Sequence, residues 1–327
     1  QRVKTSTDRI AQLKREIGHL DSSSTSAVIR FSSFRWVQAV PVEVWREHIC
    51  HKFMNLTELS ILRRSHTFFE KYWQNVMRQN VIRVPQGCAT VDQAMEMAVI
   101  FSERKEYTET EPLKIQLDEG VHEIVGNCNR VIVSCSHITF LGKGKDQTTI
   151  CGGFRVENQQ NVKFEALTIT SRGDGLWLEG SETNVDVLKC VVKECGATGM
   201  SVYDGANVTA TQCEFMENGG IGVSCSGANT KVRLNDCQIH HNAVVGLWAY
   251  ADAVVDLHGT KTDIHSNKDD GIYAAENGKV NIHLPSQHNT SHDNVEEDRN
   301  QEDGGSIANQ NADGTFTHVV VGDNDDY

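Results

Sequence analysis

The chain has 327 residues, a formal net charge of −13 and 39% apolar residues, so it is long enough to bury a sizeable core in more than one structural unit. The negative charge argues against nucleic acid as a partner, since phosphate contacts need a basic face. The sequence contains no run of 18 apolar residues and no basic start followed by an apolar stretch. It therefore predicts neither a membrane span nor an uncleaved signal peptide, while a leader removed ahead of Gln1 is left open.

The first segment of the chain has the pattern of an amphipathic helix. Ile10, Leu13 and Ile17 recur at spacings of three and four residues, with charges between them. The spacing predicts a coiled-coil-like helix over residues 1–20 and allows for a coiled-coil partner at this end of the chain. Residues 21–38 begin with DSSSTS, a composition typical of a linker.

Residues 39–82 predict a small helical unit. Pro41 suits the first turn of a helix, and Trp45 and Ile49 contribute to an apolar stripe on it. A second helix with an apolar face follows from about Asn55, and a third carries four aromatic residues. Three short helices bury little surface alone, so this unit is expected to pack against a partner.

This stretch resembles an F-box. The family pattern has Leu-Pro-x-Glu followed by Leu or Val, then an Ile, a Leu-x-x-Leu run, a basic pair near Ser and a closing Trp. The chain matches it with 40–44 (VPVEV), Ile49, 56–59 (LTEL), 63–65 (RRS) and Trp73, and departs from it where Val40 replaces the first Leu. The resemblance implies docking of a Skp1-like protein in a cullin-type ubiquitin ligase. The residues that would carry this contact are Pro41, Glu43, Trp45, Ile49, Leu59 and Leu62.

A further helix is predicted at residues 90–104. Thr90 with Gln93 three residues later is a capping-box pattern, and Val91 begins an apolar face. The helix precedes two predicted strands, and it is expected to cover the open end of the sheet structure that they begin. This placement also resembles pectate-lyase-like folds.

From residue 153 to residue 290 the sequence repeats every 21 to 26 residues. Each unit opens with a glycine and an apolar-variable-apolar triplet, a second triplet follows, and four units have a third. The opening glycines are Gly153, Gly175, Gly199, Gly220, Gly246 and Gly271. Three short strands per unit describe one rung of a parallel β-helix, which must stack on its neighbours to bury a core. The pattern predicts an all-β solenoid over residues 84–327, with a loop in the acidic stretch 293–304 and a final strand beyond it.

An F-box followed by a right-handed parallel β-helix is the arrangement of a known group of ubiquitin-ligase substrate adaptors. The resemblance implies a non-catalytic protein, not an enzyme, that binds a protein substrate and needs no cofactor. Cys190, Cys213 and Cys237 occupy the same inward position of successive units, where thiols act as small apolar core residues. No Cys-x-x-Cys pair occurs, so the sequence favours a reducing compartment, the cytoplasm or the nucleus.

When the rungs stack, equivalent positions of successive rungs lie above one another and form columns. The distances along these columns show whether candidate site residues can lie close together. Asp174 and Asp270 share one corner of the rung but are four rungs apart, about 19 Å at the interstrand distance. That separation is too large for the two carboxyl groups of a glycosidase, so no catalytic residue is predicted. His240, His265 and His292 form a column that could bind a metal, but exposed polar corners are commoner and no metal site is predicted.

Two other polar columns have a structural interpretation. An inward amide ladder is expected at the corner that precedes each opening glycine, from Asn218, Asn242, Asn267 and Asn294. The middle residues of the second triplets face outward and form a charge ladder, in the order Lys163, Asp186, Thr209, Arg233, Asp256 and Asn281. Such a surface ladder contributes only tenths of a kcal/mol per pair.

The outward positions of the first triplets form an aromatic surface. Its members are Trp177, Tyr203, Trp248, Tyr250 and Tyr273. Ser201 and Gly222 are expected to leave a dip between the two tryptophans. Exposed aromatic patches often mark binding surfaces, with a covering loop as the alternative. Three functions are left open: an adaptor that binds a protein substrate here, a carbohydrate-binding or polysaccharide-processing protein that stacks sugar rings here, and a rigid scaffold in a larger assembly.

Overall fold

The computed structural model describes residues 74, 77–124, 129–283, 290–311 and 313–318. The chain divides into two units, Gln1–Gln79 and Asn80–Tyr327. The predicted helix at 1–20, the linker at 21–38 and the six F-box positions lie outside the described residues. Of the F-box-like stretch 39–82, residues 81 and 82 already belong to the first strand of the second unit.

The second unit contains one described helix, α1 (Val91–Ser102), and 27 described strands. In chain order the strands are β1 Val81–Val84, β2 Leu113–Leu117, β3 Gly120–Glu123, β4 Arg130–Val133, β5 Ile138–Leu141, β6 Thr148–Cys151, β7 Gly153–Glu157, β8 Val162–Glu165, β9 Thr168–Thr170, β10 Leu176–Glu179, β11 Asn184–Leu188, β12 Val191–Lys193, β13 Met200–Tyr203, β14 Asn207–Thr211, β15 Glu214–Met216, β16 Val223–Ser226, β17 Lys231–Asn235, β18 Gln238–His240, β19 Leu247–Tyr250, β20 Val254–His258, β21 Asp263–His265, β22 Ile272–Ala274, β23 Lys279–His283, β24 Thr290–His292, β25 Arg299–Gln301, β26 Ser306–Gln310 and β27 Phe316–His318.

The strands form three sheets that run the length of a solenoid. Sheet 1 has the order β4-β7-β10-β13-β16-β19-β22-β25, and sheet 3 has the order β3-β6-β9-β12-β15-β18-β21-β24. Sheet 2 has eleven strands, in the order β1-β2-β5-β8-β11-β14-β17-β20-β23-β26-β27. Successive strands of the chain fall in different sheets, and each strand pairs in parallel with the equivalent strand one turn away. The predicted all-β parallel solenoid is confirmed, and β27 departs from it by pairing antiparallel to β26.

The core lies between the three sheets and follows from strict alternation along each strand. In β11 the side chains of Val185 and Val187 are buried, while Asp186 between them faces outward. Near the N-terminal end the core contains a cluster of Phe140, Phe154 and Phe164, with ring centroids 4.8 to 5.1 Å apart. Full burial of each such ring stabilises the fold by about 1.5–3 kcal/mol.

The predicted asparagine ladder is confirmed. The Asn218 Nδ2 donates to Asn242 Oδ1 at 2.9 Å, Asn242 donates to Asn267 at 3.0 Å, and Asn267 donates to Asn294 at 2.9 Å. Each Oδ1 also accepts a backbone N–H of the preceding turn, so buried corner groups are satisfied. The ladder explains the repeated glycine, because a Cβ on Gly246 would lie 2.6 Å from Asn267 Nδ2.

The cysteine column is also inward. Cys190, Cys213 and Cys237 are buried, and the eight described cysteines of the chain are free thiols. The Cys213 thiol donates to the Val187 carbonyl oxygen at 3.2 Å, so the small core residues also satisfy a strand carbonyl. Burial raises the pKa of Cys190 and of Cys237 well above its ordinary value.

Helix α1 covers the N-terminal end of the solenoid, as predicted for residues 90–104. The Thr90 hydroxyl caps it by accepting the Gln93 N–H at 3.2 Å. Its buried face includes Met95 and Phe101, and it packs against β1, β2 and β4. In the described part of the chain, no helix is both long enough and apolar enough to cross a membrane.

Two sequence predictions need correction in this unit. The fourth repeat opens at Gly222 and not at Gly220, because Val223 pairs with Met200. The predicted loop 293–304 contains a strand, Arg299–Gln301, which completes sheet 1 beside β22. Polar composition misled the loop prediction, since the outermost strand of a solenoid has only one neighbour to pack against.

Candidate ligand-binding face

Five aromatic side chains lie together on the outer surface of sheet 1, and we call them the aromatic face. They are Trp177 on β10, Tyr203 on β13, Trp248 and Tyr250 on β19, and Tyr273 on β22. Each side chain is half-buried. Their ring contacts fall into two groups along sheet 1, Trp177 with Tyr203 and Trp248 with Tyr250 and Tyr273.

The strand register sets the two tryptophans in one column. Trp177 pairs with Ser201, Ser201 with Ser224, and Ser224 with Trp248. Both serines are buried, with at most 3% of their surface exposed. The column therefore has an indole at each end and two hydroxyl groups between them.

The column between the tryptophans differs from the predicted dip both in its burial and in its composition. Gly222 was expected to form part of it, but the opening glycine occupies a corner and Ser224 takes the outward position. Cys225 is fully buried in the core. The sequence allowed two registers here because Gly220 and Gly222 both precede an apolar-variable-apolar triplet.

Trp177 lies in a charged surrounding. Its Nε1 donates to Glu179 Oε2 at 2.8 Å, and the Arg130 guanidinium lies 5.3 Å from its ring centroid. Glu179 also accepts the Arg155 Nε–H at 2.7 Å, and Arg130 forms an ion pair with Asp174 at 3.4 Å. The two cations at this end of the face are thus paired with carboxylates.

Trp248 has more apolar neighbours. Its ring stacks on Tyr250 with centroids 4.6 Å apart, and the Tyr273 centroid is 5.6 Å away. The Trp248 Nε1 is buried and has no hydrogen-bond partner among the described residues. Tyr273 donates its hydroxyl to Glu302 Oε2 at 2.6 Å, and this bond raises the pKa of Tyr273 to about 12.

Tyr203 lies between the two ends of the face. Its ring centroid is 5.5 Å from that of Trp177. Burial raises the pKa of Tyr203, and hydrogen bonding to Ser201 partly offsets that rise. The phenol therefore stays neutral and can donate or accept a hydrogen bond beside the serines.

Asp270 is a buried carboxyl group at the Tyr273 end of the face. Its Oδ1 accepts the Glu297 N–H at 3.1 Å, and its Oδ2 accepts from Asn300 Nδ2 at 3.0 Å. Asn300 is the register partner of Tyr273. Burial raises the pKa of Asp270 above its ordinary value. Although Asp270 lies at a corner of the rung, its side chain is not solvated.

The register keeps Asp174 and Asp270 apart, as predicted. The glycines that follow them, Gly175 and Gly271, open β10 and β22, which are separated by β13, β16 and β19 in sheet 1. The two carboxyl groups therefore lie at opposite ends of the aromatic face and cannot act on the same bond.

The histidine column stacks without converging. The His240 and His265 ring centroids are 4.9 Å apart and those of His265 and His292 are 5.3 Å apart, with nearly parallel planes. His240 Nε2 is 3.0 Å from a Glu214 oxygen, and His292 Nε2 is 3.1 Å from an Asp263 oxygen. Parallel rings offer their edges to separate partners, so this column does not form a shared metal site.

Sheet 2 has a groove of about 330 Å³ on its outer surface. Its lining mixes charges, with a Lys163–Glu165 ion pair of 2.9 Å. The lining residues are Glu109, Pro112, Lys114, Thr139, Leu141, Asn161, Lys163, Glu165 and Asp186. The predicted charge ladder is thus confirmed as one outward column, with Asp186 beside Lys163 and Arg233 beside Asp256.

Several solved structures resemble this chain. They include Geobacillus virus E2 ORF18, with 11% identity over 66% of this chain and a TM-score of 0.44. Pectin methylesterase PemA from Erwinia chrysanthemi has 11% identity over 73% of this chain and 84% of its own, with a TM-score of 0.42. The A-module of Azotobacter vinelandii mannuronan C-5 epimerase AlgE6 has 13% identity over 68% of this chain and 89% of its own, with a TM-score of 0.34. The chain spans 55% of the viral protein.

These similarities show the fold alone, and no curated protein matches the chain by sequence. The expectation that this chain is not an enzyme needs correction, since the structures of this fold named above include an esterase and an epimerase and the fold gives that expectation no support. That expectation came from the F-box resemblance and is withdrawn.

The family match covers the repeated region. A model described as "Right handed beta helix region" matches residues 122–237 and 152–327. These matches span more than half of the chain and do not extend to the F-box-like stretch. The chain belongs to the right-handed β-helix family.

Proposed function

We propose that the solenoid binds a glycan chain on its aromatic face and processes it there. The observation that carries this proposal is the column of Trp177, Ser201, Ser224 and Trp248. It presents two half-buried indole rings, with two buried serines between them. Sugars offer the complementary chemistry, because their ring faces are apolar and their edges carry hydroxyl groups that pair with polar tips.

The aromatic face is also suited to a repeating ligand. Its outward positions recur at the interstrand distance of about 4.8 Å, so a polymer that runs along sheet 1 meets the indoles of Trp177 and Trp248 three steps apart. The buried Trp248 Nε1 has no hydrogen-bond partner among the described residues, whereas the Tyr203 hydroxyl is hydrogen-bonded to Ser201 and Ser224. An unused buried donor is costly, and a ligand oxygen that reached it would remove that cost.

The charges around the face favour a neutral glycan. Arg130 and Arg155 are both paired with carboxylates. Glu157 and Glu302 add negative charge at the two ends, and the whole chain carries −13. A polyanion would meet this charge without a free cation among the groups described around the aromatic face.

Asp270 supplies a group for the chemical step. Burial raises the pKa of Asp270 above its ordinary value, and a raised pKa is what a carboxyl group needs to donate a proton to a leaving oxygen. The hydrogen-bond partner of Asp270 is Asn300. Asn300 lies in the same strand column as Tyr273 and Trp248. A sugar stacked on these two rings would bring a glycosidic oxygen to this end of the face.

Calorimetric titration of the full chain with neutral and acidic oligosaccharides tests the proposal. We expect binding of a neutral oligosaccharide that weakens about tenfold or more in Trp177→Ala and Trp248→Ala, as removal of interface anchors does. Val121→Ala is the control, since Val121 is an exposed apolar residue on sheet 3. Absence of binding to every glycan in the panel would refute the proposal.

Product analysis separates binding from processing. Asp270→Asn should retain the affinity for the glycan and lose turnover, because the amide keeps the shape of the carboxyl group but cannot donate its acidic proton. Unchanged turnover in this variant would remove Asp270 from the chemistry and leave glycan binding intact.

We infer a separate role for residues 39–82 from the F-box resemblance, namely docking of a Skp1-like protein that would bring the solenoid and a bound protein substrate to a ubiquitin ligase. The support is the match of residues 40–44 (VPVEV), Ile49 and 56–59 (LTEL) to the family pattern. Co-purification with a Skp1-like protein tests it. Ile49→Glu should abolish that complex, whereas Trp248→Ala should leave it intact.

A further inference from the structure

A second cluster of polar side chains lies on sheet 2, away from the aromatic face. Asp256, His258 and His283 each offer a ligand atom, and these atoms lie within 4.8 Å of one another. In the described part of the chain, no other group of three His, Cys, Asp or Glu side chains meets this condition.

The strand geometry explains why these three side chains converge. Asp256 and His258 are two residues apart on β20, so both face outward on the same side of the sheet. His283 ends the neighbouring strand β23. The two imidazole rings stack with centroids 3.8 Å apart, and His283 Nε2 is 3.0 Å from Asp256 Oδ1.

His258 provides a second observation, independent of the distances between the three side chains. Its Nε2 is buried and has no hydrogen-bond partner among the described residues. The other stacked histidines differ, because His240 Nε2 and His292 Nε2 each meet a carboxylate. A buried imidazole nitrogen without a partner costs free energy, and a bound cation would remove this cost.

A neighbouring amide holds the Asp256 carboxylate in position, and a neighbouring arginine lies beside it. Asn281 Nδ2 donates to Asp256 Oδ1 at 3.0 Å, and this contact fixes the carboxylate beside His283. Arg233 is the register partner of Asp256, and its positive charge opposes a cation at this place. The three ligands must therefore bind the cation strongly enough to outweigh this repulsion.

We propose that Asp256, His258 and His283 form a site for a divalent first-row transition ion such as Zn²⁺. Two imidazole nitrogens and one carboxylate oxygen match the ligand set of zinc and not that of Mg²⁺ or Ca²⁺, which prefer oxygen. In a tetrahedral site with bonds of 2.0–2.1 Å, ligand atoms lie about 3.3 Å apart. His283 Nε2 and Asp256 Oδ1 are already 3.0 Å apart, and the three ligand atoms lie within 4.8 Å of one another, so side-chain rotations would complete the site.

The site has three protein ligands, and its fourth position opens to solvent. The side chains of Asp256 and His283 are 26% and 21% exposed. A bound ion would hold one water molecule there and would join β20 to β23. The site thus combines a link between two turns of the solenoid with the open coordination position typical of reactive zinc.

Metal analysis of the full, tag-free chain dialysed against ZnCl₂ tests this proposal. The isosteric variants His258→Gln, His283→Gln and Asp256→Asn should each lose one equivalent of Zn²⁺ and the rise in melting temperature that Zn²⁺ gives. His265→Gln is the matched control, since it removes a stacked imidazole from sheet 3 and should retain the metal.

Co²⁺ absorption separates this site from other ligands in the chain. Residues 48–51 (HICH) contain two histidines and a cysteine, and a thiolate ligand there would add a charge-transfer band. The proposed site predicts a Co²⁺ absorption spectrum without that band. The intensity of this spectrum should be at least tenfold lower in each of the three variants. Absence of Zn²⁺ from the wild-type chain, or equal binding by wild type and all three variants, would overturn the proposal.

Discussion

Trp177 and Trp248 lie in one outward column of sheet 1, separated by Ser201 and Ser224. Three interstrand steps separate the indoles by about 14 Å. Both serines are buried, so other side chains cover the column between the two tryptophans. The Tyr203 phenol is one of them, since its hydroxyl is hydrogen-bonded to Ser201 and Ser224.

This arrangement predicts different effects for outward and inward residues. Trp177→Ala and Trp248→Ala should lower the free energy of unfolding by only about 1 kcal/mol, as half-exposed sites do. Leu176→Ala and Leu247→Ala, one residue earlier and fully buried, should cost about 2–5 kcal/mol. Urea denaturation compares the four variants. Equal losses would mean that the indoles support the fold and are not free for a ligand.

The asparagine ladder predicts a large effect from a small change. Asn242→Ala removes an amide that donates to Asn267 and to the Phe215 carbonyl and accepts from Asn218. Each buried group left without a partner costs about 1–3 kcal/mol. Denaturation should therefore show a loss of several kcal/mol, whereas Asn207→Ala on the exposed surface should stay within about 0.5 kcal/mol. A mild Asn242 variant would imply that water replaces the amide.

The glycine column predicts which glycines tolerate a methyl group. A Cβ on Gly246 would lie 2.6 Å from Asn267 Nδ2, while a Cβ on Gly173 would meet its nearest atom at 3.7 Å. Gly246→Ala should destabilise the protein by at least about 1–3 kcal/mol through overpacking. Gly173→Ala should leave the melting temperature nearly unchanged. Comparable melting temperatures for both variants would contradict the close packing of glycine against the ladder.

Asp270 predicts a pH dependence with a definite sign. Burial raises its pKa in the folded state above the ordinary value, so the folded protein binds this proton more tightly than the unfolded chain. The contribution of Asp270 to stability is full below its unfolded pKa and is lost as the pH rises through its folded pKa. Asp270→Asn removes this titration.

Thermal unfolding of the wild type and Asp270→Asn, measured from pH 3 to pH 7, checks this expectation. The melting temperature of the wild type should fall relative to that of the variant as the pH rises through the folded pKa. A relative rise would mean that the hydrogen bonds from Glu297 and Asn300 outweigh burial and lower the pKa.

Much of the fold could be predicted from the sequence because the same pattern of glycine, apolar triplets and asparagine recurs in successive rungs. Gly246 and Asn242 recur at equivalent positions, and each repeat confirms the register of its neighbours. The predicted register was wrong at Gly220, because Gly220 and Gly222 both fit the pattern of an opening glycine. Hydrogen bonding to the neighbouring turn selected Gly222, and that choice depends on the length of the corner and not on the strand pattern.

The candidate sites were predictable to a lesser degree. The five aromatic residues follow from alternation, since a strand of known inward residues also identifies its outward ones. Asp256 was assigned to a surface charge ladder, and His258 and His283 carried no signal of their own. Their convergence depends on side-chain rotations at the end of two neighbouring strands, which a repeat pattern does not specify.

The sequence by itself determined the parallel solenoid, its inward ladders and the identity of the aromatic face, because these depend on periodicity and on backbone hydrogen bonding. Only the tertiary structure decided that the Asp270 carboxyl group is buried, that Trp248 Nε1 has no partner among the described residues, and that two imidazoles stack beside Asp256. These properties arise from contacts between side chains on different turns. Such contacts depend on distances of a few tenths of an ångström, whereas the periodic pattern sets only which residues share a column.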